Sequence, residues 1–375
     1  MTNNENNSFL SPQARGGDIA QGGFSFQDNI VLSRIPYWLS DEGFERMSHE
    51  AQEDIEAVFF VPGIGSVMEA MQVKDHALTQ TEFREAIEQF QRLDAKNPGL
   101  YRRFVLVSTG AESKVRPAIN SLKRVQSLYP FYPEGALIRE KAYQEYVTRF
   151  RDGQEAHFVY SKVSIEPNWN VGVSGESLFR DALVKHFPEF RQASIDTIGI
   201  VYDKVTRLVR GKRAQIIPRR ELEDCVFGNL TYALRPVRIH TSYELNSVPA
   251  EPVLHLQWSP LFGGRERALP STDIWNEQFI KQCQEVRSWI LRCRGTRQIW
   301  ISGSRRLSAN LALGTVFPAV EKFSLNMISD NGTSWRTDVH PDSSTQYSLV
   351  PRFVDGTGND LVVDIGILED ISSDV

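Results

Sequence analysis

Three side chains in one stretch of the sequence have the types needed for chemistry on an anion: Asp54, Gln72 and Lys74. Carboxylate and amide oxygens are ligands for hard divalent cations, and a lysine ammonium can stabilise developing negative charge. A metal ion beside a lysine suits hydrolysis of a phosphodiester, whose oxygens repel an anionic nucleophile. The alternative is a solvated sheet face, and the spacing of the three residues alone leaves both interpretations open.

Two strands joined by a tight turn must position these residues. We predict one strand at 54–61, rich in β-branched and aromatic residues, and a second at 67–74, with Pro62 and two glycines in the turn. Side chains alternate along a strand, so Gln72 and Lys74 lie side by side, within reach of an acid on the neighbouring strand.

Further elements predict an α/β fold around this hairpin. In the first part of the chain we predict strands at 101–108 and 157–166. A first helix begins at about Ser25, with Gln27 near its start, and a second at 80–95 follows a Thr79-x-x-Glu82 capping box. Further helices are predicted at 114–128, 135–151, 175–187, 191–210 and 218–228. After a linker at 246–252 we predict strands at 253–258, 297–302, 323–329 and 361–368, and helices at 274–294 and 307–317.

Composition limits the class of protein. The chain has 375 residues, enough for two domains, and its 42 lysines and arginines against 47 acids give a net charge of −5, so any nucleic-acid contact must be local. Three widely spaced cysteines in no metal-ligand pattern favour a reducing cytoplasm over a disulfide framework or a zinc site. No apolar run is long enough to span a bilayer, and residues 1–17 are polar and predict a disordered lead-in.

Seven basic residues and no acid lie between residues 204 and 220. One interpretation is a solvated helix end, where cations are favoured by the helix dipole. The other is a phosphate-contacting surface, for which the candidate DNA-binding residues are Arg207, Arg210, Lys212 and Arg213. The sequence leaves both interpretations open.

Two loops in the second half of the chain are rich in arginine, and each follows a predicted strand. Open α/β sheets bind ligands at the carboxyl ends of their strands. The candidate ligand-binding residues are Arg265, Arg267, Trp275, Ser302, Arg305, Arg306 and Ser308. Trp258 and Trp335 are further stacking candidates, but for each tryptophan we favour core packing.

The acid on one strand and the residue–x–Lys on the next resemble the PD-(D/E)XK nuclease core. The resemblance implies Mg²⁺ or Mn²⁺ as cofactor, with Asp54 as its principal ligand and Gln72 as a second oxygen ligand. Lys74 would orient the attacking water and stabilise the transition state. Glu50 would be an additional metal ligand, and the remaining nearby carboxylates are Glu53 and Glu56.

Longer segments resemble a known pair of domains. GGFSFQ, EAQEDIE and MEAMQVKDH resemble the double-stranded-DNA endonuclease domain of bacterial anti-phage effectors. HLQWSPLFGGRERALPSTDIW and RQIWISGSRRLSANLALGTVF resemble the SAVED domain, a CARF-related sensor of cyclic oligonucleotides with two Rossmann-like halves. The resemblance implies that the candidate ligand-binding residues meet a cyclic oligonucleotide, whose phosphates require cations or helix N-termini and whose bases require aromatic faces. The implied fold class is α/β, with a restriction-endonuclease-like domain at 18–232 followed by a Rossmann-like SAVED domain at 250–375.

The two domains in this order resemble the nuclease–SAVED effectors of cyclic-oligonucleotide-based anti-phage signalling. The resemblance implies a cytoplasmic, Mg²⁺-dependent endonuclease of double-stranded DNA that a cyclic di- or trinucleotide activates by driving homo-oligomerisation. Two alternatives stay open: a catalytically silent cyclic-nucleotide sensor, and an unregulated restriction-type nuclease. Because the sequence ends soon after the strand predicted at 361–368, we also expect the second half of the sensor to be missing.

Overall fold

The first part of the chain alternates helices with the strands of one sheet. The computed structural model describes residues 12–49, 54–131, 136–169, 175–228, 235–243, 249, 252–262, 270–328 and 333–337. In chain order the elements are α1 (Pro12–Ser40), β1 (Phe44–His49), β2 (Ile55–Val61), β3 (Gly65–Leu78), α2 (Gln80–Lys96), β4 (Tyr101–Ala111), α3 (Arg116–Phe131), α4 (Ala136–Val147), α5 (Gly153–Lys162), β5 (Val163–Glu166), α6 (Gly175–His186), a 3₁₀-helix (Pro188–Gln192), α7 (Ile195–Gly211), β6 (Ile216–Pro218) and α8 (Arg219–Phe227).

The six strands of this part form one mixed sheet in the order β5-β4-β3-β2-β1-β6. The pairs β3–β2, β2–β1 and β1–β6 are antiparallel. The pairs β5–β4 and β4–β3 are parallel. Each face of the sheet is covered by a separate apolar core. Met71 and Val73 of β3 belong to the core under α1, α6 and α7, and Ala70 belongs to the core under α2, α3 and α5.

The second part of the chain forms a five-stranded sheet in the order β11-β10-β9-β7-β8, parallel except for β11. One face of this sheet packs on an apolar core shared with α9, α11 and α12. The elements are β7 (Val237–Ser242), β8 (Leu254–Gln257), α9 (Ser259–Phe262), α10 (Thr272–Ile274), a π-helix (Trp275–Ile280), α11 (Lys281–Cys293), β9 (Gln298–Gly303), α12 (Leu307–Val316), a 3₁₀-helix (Ala319–Glu321), β10 (Ser324–Ile328) and β11 (Ser334–Arg336).

The strand predicted at 157–166 is wrong over its first part, because residues 157–162 belong to α5. Asp152 caps this helix by accepting a hydrogen bond from the backbone N–H of Glu155 at 2.8 Å. The helix buries Ala156 and Val159, which lie three residues apart on one helix face. Extended pairing with β4 covers only residues 163–166.

Other boundaries also differ from the prediction. Helix α1 begins at Pro12 rather than near Ser25, and it includes residues 12–17 of the predicted lead-in. The short strands β1, β6, β7 and β11 were not predicted. The strand predicted at 361–368 and most of the linker predicted at 246–252 lie outside the described residues. Among the helices that the structure describes, none has both the length and the apolar character needed to cross a membrane.

Buried ion pairs join the two sheets. Glu42, which follows α1 and is 3% exposed, contacts the guanidinium groups of Arg294 and, at 3.2 Å, of Arg238. Arg219 lies 3.9 Å from the same carboxylate and 2.7 Å from Glu223. Burial lowers the pKa of Arg294 to about 10, which still leaves its guanidinium charged at neutral pH. The network therefore fixes residues of both sheets around one carboxylate.

Candidate active site

The hairpin of β2 and β3 carries the three predicted catalytic residues at its open end. Its strands pair antiparallel, with Ile55 opposite Met71. The turn at the other end includes Gly63 at φ +78°, a conformation that favours glycine. Asp54 is one residue before Ile55, and it therefore stands across from Gln72.

A backbone hydrogen bond holds Asp54 against β3. The N–H of Val73 donates to Oδ2 of Asp54 at 2.6 Å. This N–H lies beyond the last paired residue of β2, so a side-chain carboxylate accepts from it in place of a strand carbonyl. Hydrogen bonds to a charged acceptor are stronger than neutral ones. The bond places the Asp54 carboxylate beside the backbone of Val73, the residue between Gln72 and Lys74.

Gln72 and Lys74 are half-buried on the face of β3 that looks towards α2. Gln72 lies next to Leu106 of β4, and Lys74 lies next to Ser108. The Nε2 of Gln72 donates to Oε1 of Gln89 at 3.5 Å, a long hydrogen bond. The Oε1 of Gln72 is buried and has no hydrogen-bond partner among the described residues. A buried polar oxygen normally has a partner, so this atom is poised to accept one.

The chemistry of this donor set fits a divalent cation. Mg²⁺ takes oxygen ligands, keeps several waters and is typically bound through one or two carboxylates. The aspartate carboxylate and the buried amide oxygen supply such ligands. The described residues contain no group of three or more His, Cys, Asp or Glu side chains placed to hold a metal ion. Two of the predicted extra carboxylates, Glu50 and Glu53, lie outside the described residues, and Glu56 accepts from Ser48 Oγ at 3.4 Å.

His76 lies two residues past Lys74, between two carboxylates. Its ring nitrogens are 3.0 Å from Oδ1 of Asp75 and 2.7 Å from Oε1 of Glu82, and hydrogen bonding to Asp75 and then to Glu82 raises the pKa of His76. Burial alone would raise the pKa of Glu82, but hydrogen bonds from His76 and Thr79 lower it to about 2. Thr79 and Glu82 form the capping box that begins α2, which confirms the prediction.

The predicted DNA-binding segment is partly tied into the fold. Asp28, 2% exposed, accepts from Nε of Arg210 at 3.0 Å and from Nη2 of Arg213 at 3.1 Å. Lys212 lies 2.6 Å from Glu221. Arg207 is exposed, and its Nε donates to the backbone carbonyl of Asp203 at 3.3 Å. Of the four predicted residues, Arg207 therefore has no carboxylate partner among the described contacts. DNA binding by this segment stays a prediction.

A row of polar side chains that we did not predict lies beside Ser302 at the carboxyl ends of β7, β8 and β9. His240 Nδ1 is 3.1 Å from Ser302 Oγ, and His255 Nε2 is 2.9 Å from Ser242 Oγ. Burial, and then the neighbouring His240, lowers the pKa of His255. The signal in the sequence is the alternation in RIHTS and LHLQ. Every second residue of a strand lies on the same face, and in these two segments those residues are polar.

The other predicted ligand residues follow β9. Arg305 Nε donates to Oδ1 of Asn310 at 2.7 Å, and the guanidinium of Arg306 lies 4.9 Å from the centre of the Phe262 ring. Ser308 is exposed in the first turn of α12. Arg305 and Arg306 thus contact helices α12 and α9. Two predicted residues lie outside the described residues: Arg265 and Arg267.

The three candidate tryptophans have different surroundings. Trp258 is 1% exposed and is a core residue, as we favoured. Trp275 is half-buried and stacks on Phe279, with ring centres 4.5 Å apart and planes 14° apart. Trp335 is 70% exposed on β11, so core packing is the wrong prediction for this residue. One face of Trp275 is therefore already covered by the core.

Comparison with known proteins identifies the family. The dsDNA endonuclease domain of Cap4 matches residues 15–208, more than half of the chain. The chain belongs to the Cap4 dsDNA endonuclease family. Its relatives include CD-NTase-associated protein 4 from an Acinetobacter species, 27% identical over 389 residues, covering 98% of this chain and 79% of that protein. The Moraxella osloensis protein of the same name is 26% identical over 378 residues, covering 98% and 80%.

Solved Cap4 structures share the fold. The Acinetobacter baumannii Cap4 SAVED/CARF-domain containing receptor with the cyclic trinucleotide 3′3′3′-cAAA matches with a TM-score of 0.74 at 26% identity, over 87% of this chain and 71% of that one. The Moraxella osloensis Cap4 receptor matches with a TM-score of 0.73 at 24% identity, over 88% and 75%. The predicted nuclease–SAVED family and the predicted fold class are thus confirmed.

Proposed function

We propose that this Cap4 relative is a metal-dependent endonuclease of double-stranded DNA that a cyclic oligonucleotide activates. The observation that carries the proposal is the open end of the catalytic hairpin, where Asp54 is bonded to the backbone between Gln72 and Lys74. The residues that carry the carboxylate, the amide oxygen and the ammonium occupy neighbouring strand positions there, within a domain that matches a dsDNA endonuclease family.

In this proposal Asp54 and Gln72 would hold the metal ion, which would supply a bound water of lowered pKa and positive charge to offset that of the phosphate. Asp54 contributes the charge, and the buried amide oxygen of Gln72 adds a neutral ligand. Lys74 stabilises the negative charge that develops on the phosphate in the transition state and orients the attacking water. Because Lys74 and Gln72 share one strand face, the ammonium and the metal ion would act on the same phosphate.

The duplex would be held by its phosphates. Arg207 and Arg210 are exposed on α7, with Lys212 and Arg213 half-buried just after it. Contacts to phosphate fix position and carry no sequence information directly. We therefore propose cleavage without sequence preference.

The activating ligand would bind at the carboxyl ends of the second sheet. Cap4 from Acinetobacter baumannii has been solved with the cyclic trinucleotides 3′3′3′-cAAA and 2′3′3′-cAAA. We propose the same ligand class here, with phosphates near Ser308 at the start of α12, where backbone N–H groups favour anions. Ser302, Arg305 and Arg306 would complete the site with Arg265, Arg267 and Trp275. Ligand binding would drive homo-oligomerisation in the cytoplasm.

The test is cleavage of plasmid DNA with Mg²⁺ and a panel of cyclic di- and trinucleotides. The protein is compared with Lys74→Ala and with Lys141→Ala, a matched control at an exposed lysine of α4. We expect cleavage only with a subset of the ligands, lost in Lys74→Ala and kept in Lys141→Ala. Cleavage is also expected to stop when a chelator removes the metal and to return when Mg²⁺ or Mn²⁺ is added.

Other outcomes select the alternatives. Cleavage without any ligand would favour an unregulated restriction-type nuclease. Ligand binding with the plasmid left intact would favour a catalytically silent sensor. Cleavage that survives both Lys74→Ala and chelation would overturn the proposed site.

A further inference from the structure

A glutamine at the position of Gln72 raises a problem that an acid there does not. Both oxygens of a carboxylate can bind a metal, but a side-chain amide has one oxygen and one NH₂ group. Rotation of the amide by a half-turn exchanges the two. Only one of the two orientations presents a ligand, so a neighbouring group that holds the amide in this orientation would strengthen metal binding.

Gln89 of α2 is placed to hold the amide in that orientation. Its Oε1 accepts from Nε2 of Gln72 at 3.5 Å, which leaves the Gln72 Oε1 without a partner among the described residues. Two buried neighbours on α2, Ala86 and Phe90, anchor the helix on the sheet. The capping box at Thr79 fixes where the helix begins, directly after β3.

We propose that Gln89 is a positioning residue for the metal site. By accepting from the Gln72 NH₂ group, it keeps the Gln72 oxygen directed towards the cation and prevents the amide from presenting hydrogens to it. This inference rests on the proposed function, in which Gln72 is a metal ligand. It explains how a neutral amide serves where the PD-(D/E)XK pattern has a carboxylate.

The test is a double-mutant cycle in which Mn²⁺ binding is measured in the absence of DNA. Electron paramagnetic resonance detects the bound and free Mn²⁺. Gln89→Met removes the hydrogen-bond acceptor and keeps a similar side-chain volume. Gln72→Glu replaces the amide by a carboxylate, in which either terminal oxygen can bind the metal ion. In the background that keeps Gln72, we expect Gln89→Met to weaken Mn²⁺ binding by about five- to tenfold, which corresponds to the net contribution of one hydrogen bond. In the Gln72→Glu background the same change should have less than about a twofold effect. Plasmid cleavage should follow the same pattern.

Matched variants separate this role from a merely structural one. Gln91→Met changes another half-buried glutamine of α2 and should leave Mn²⁺ binding unchanged. Equal losses from Gln89→Met in both backgrounds, or no loss in either, would overturn the inference about Gln89. A Gln72→Ala variant that binds Mn²⁺ like the unmodified protein would instead overturn the proposed metal site. Urea unfolding of each variant reports whether the fold is retained.

Discussion

Phe60 of β2 stacks on Trp289 of α11, with ring centres 5.6 Å apart and planes 14° apart. Phe60 is 7% exposed and belongs to the apolar core of the second sheet. Side chains two residues apart share a strand face, so Phe60 and Asp54 stand at opposite ends of one face of β2, about 20 Å apart. The strand next to the predicted metal site is thus anchored in the layer that carries the predicted ligand residues.

We expect Phe60→Ala to lower the free energy of unfolding by about 3 kcal/mol, because it removes a buried ring and the stacking contact of that ring with Trp289. Urea unfolding measures the change. Ile64→Ala, in the turn that follows β2, is the matched control, since Ile64 is 73% exposed and should change stability by less than about 0.5 kcal/mol. Equal effects of the two variants would mean that the Phe60 contact does not hold the hairpin.

The ion pairs around Glu42 lead to a second prediction. Glu42→Ala should lower the free energy of unfolding by about 3 kcal/mol, because Arg294 is left charged and buried without this partner. The control is Glu145→Ala, whose carboxylate is 56% exposed at 3.5 Å from Arg124 and should contribute less than about 0.5 kcal/mol. A small effect of Glu42→Ala would show that water or Glu223 compensates Arg294.

The contact between His76 and Glu82 predicts a pH dependence of stability. A raised folded-state pKa of His76 gives stability that is complete below the unfolded value of 6.5 and is lost as the pH rises through the folded pKa. The lowered pKa of Glu82 gives stability that is complete above 4.5 and is lost as the pH falls towards about 2. Both contributions are therefore complete between pH 4.5 and 6.5.

His76→Gln should abolish the part of this dependence above pH 6.5. The effect should not exceed about 1 kcal/mol, because the His76 side chain is 52% exposed and solvent screens the pair. Urea unfolding at about pH 5.5 and about pH 8.5 measures it. His157→Gln, at an exposed histidine of α5, should keep the pH dependence of the unmodified protein.

The basic segment should divide into DNA-contacting and structural residues. We expect Arg207→Ala to reduce the salt dependence of DNA binding by about one unit of slope with little change in stability, because Arg207 is exposed. Arg213→Ala should also lower the free energy of unfolding by about 1–2 kcal/mol, since buried Asp28 loses a hydrogen-bond donor. Arg149→Ala, at an exposed arginine elsewhere, should change neither quantity. An unchanged salt slope in Arg207→Ala would remove this residue from the proposed DNA surface.

The sequence predicted the elements whose signal is local. The hairpin showed β-branched residues, a glycine turn and alternation, and its predicted strands match β2 and the first part of β3. The capping box at Thr79 was also readable, because both of its residues lie within one turn. Residues 157–162 were misread because HFVYSK has strand-like composition, and the competing helix signal was the cap at Asp152, five residues earlier.

Contacts between distant residues could not be predicted. Nothing near Phe60 indicates that its ring enters the core of another sheet, or that Gly63 lies so close to Gln282 that a Cβ would approach its amide within 2.7 Å. The partner of Arg213 is equally remote, since Asp28 lies 185 residues away. Such contacts depend on the topology, and local patterns do not encode topology.

The position of the Phe60 ring in the core of the second sheet has an evolutionary consequence. A nuclease domain that ended at the predicted linker would expose this ring, and the second sheet without the hairpin would expose the face of Trp289. Recombination that exchanged either domain alone would create an apolar mismatch at this junction. Exchange between lineages should therefore succeed only when the turn of the hairpin and helix α11 are inherited together.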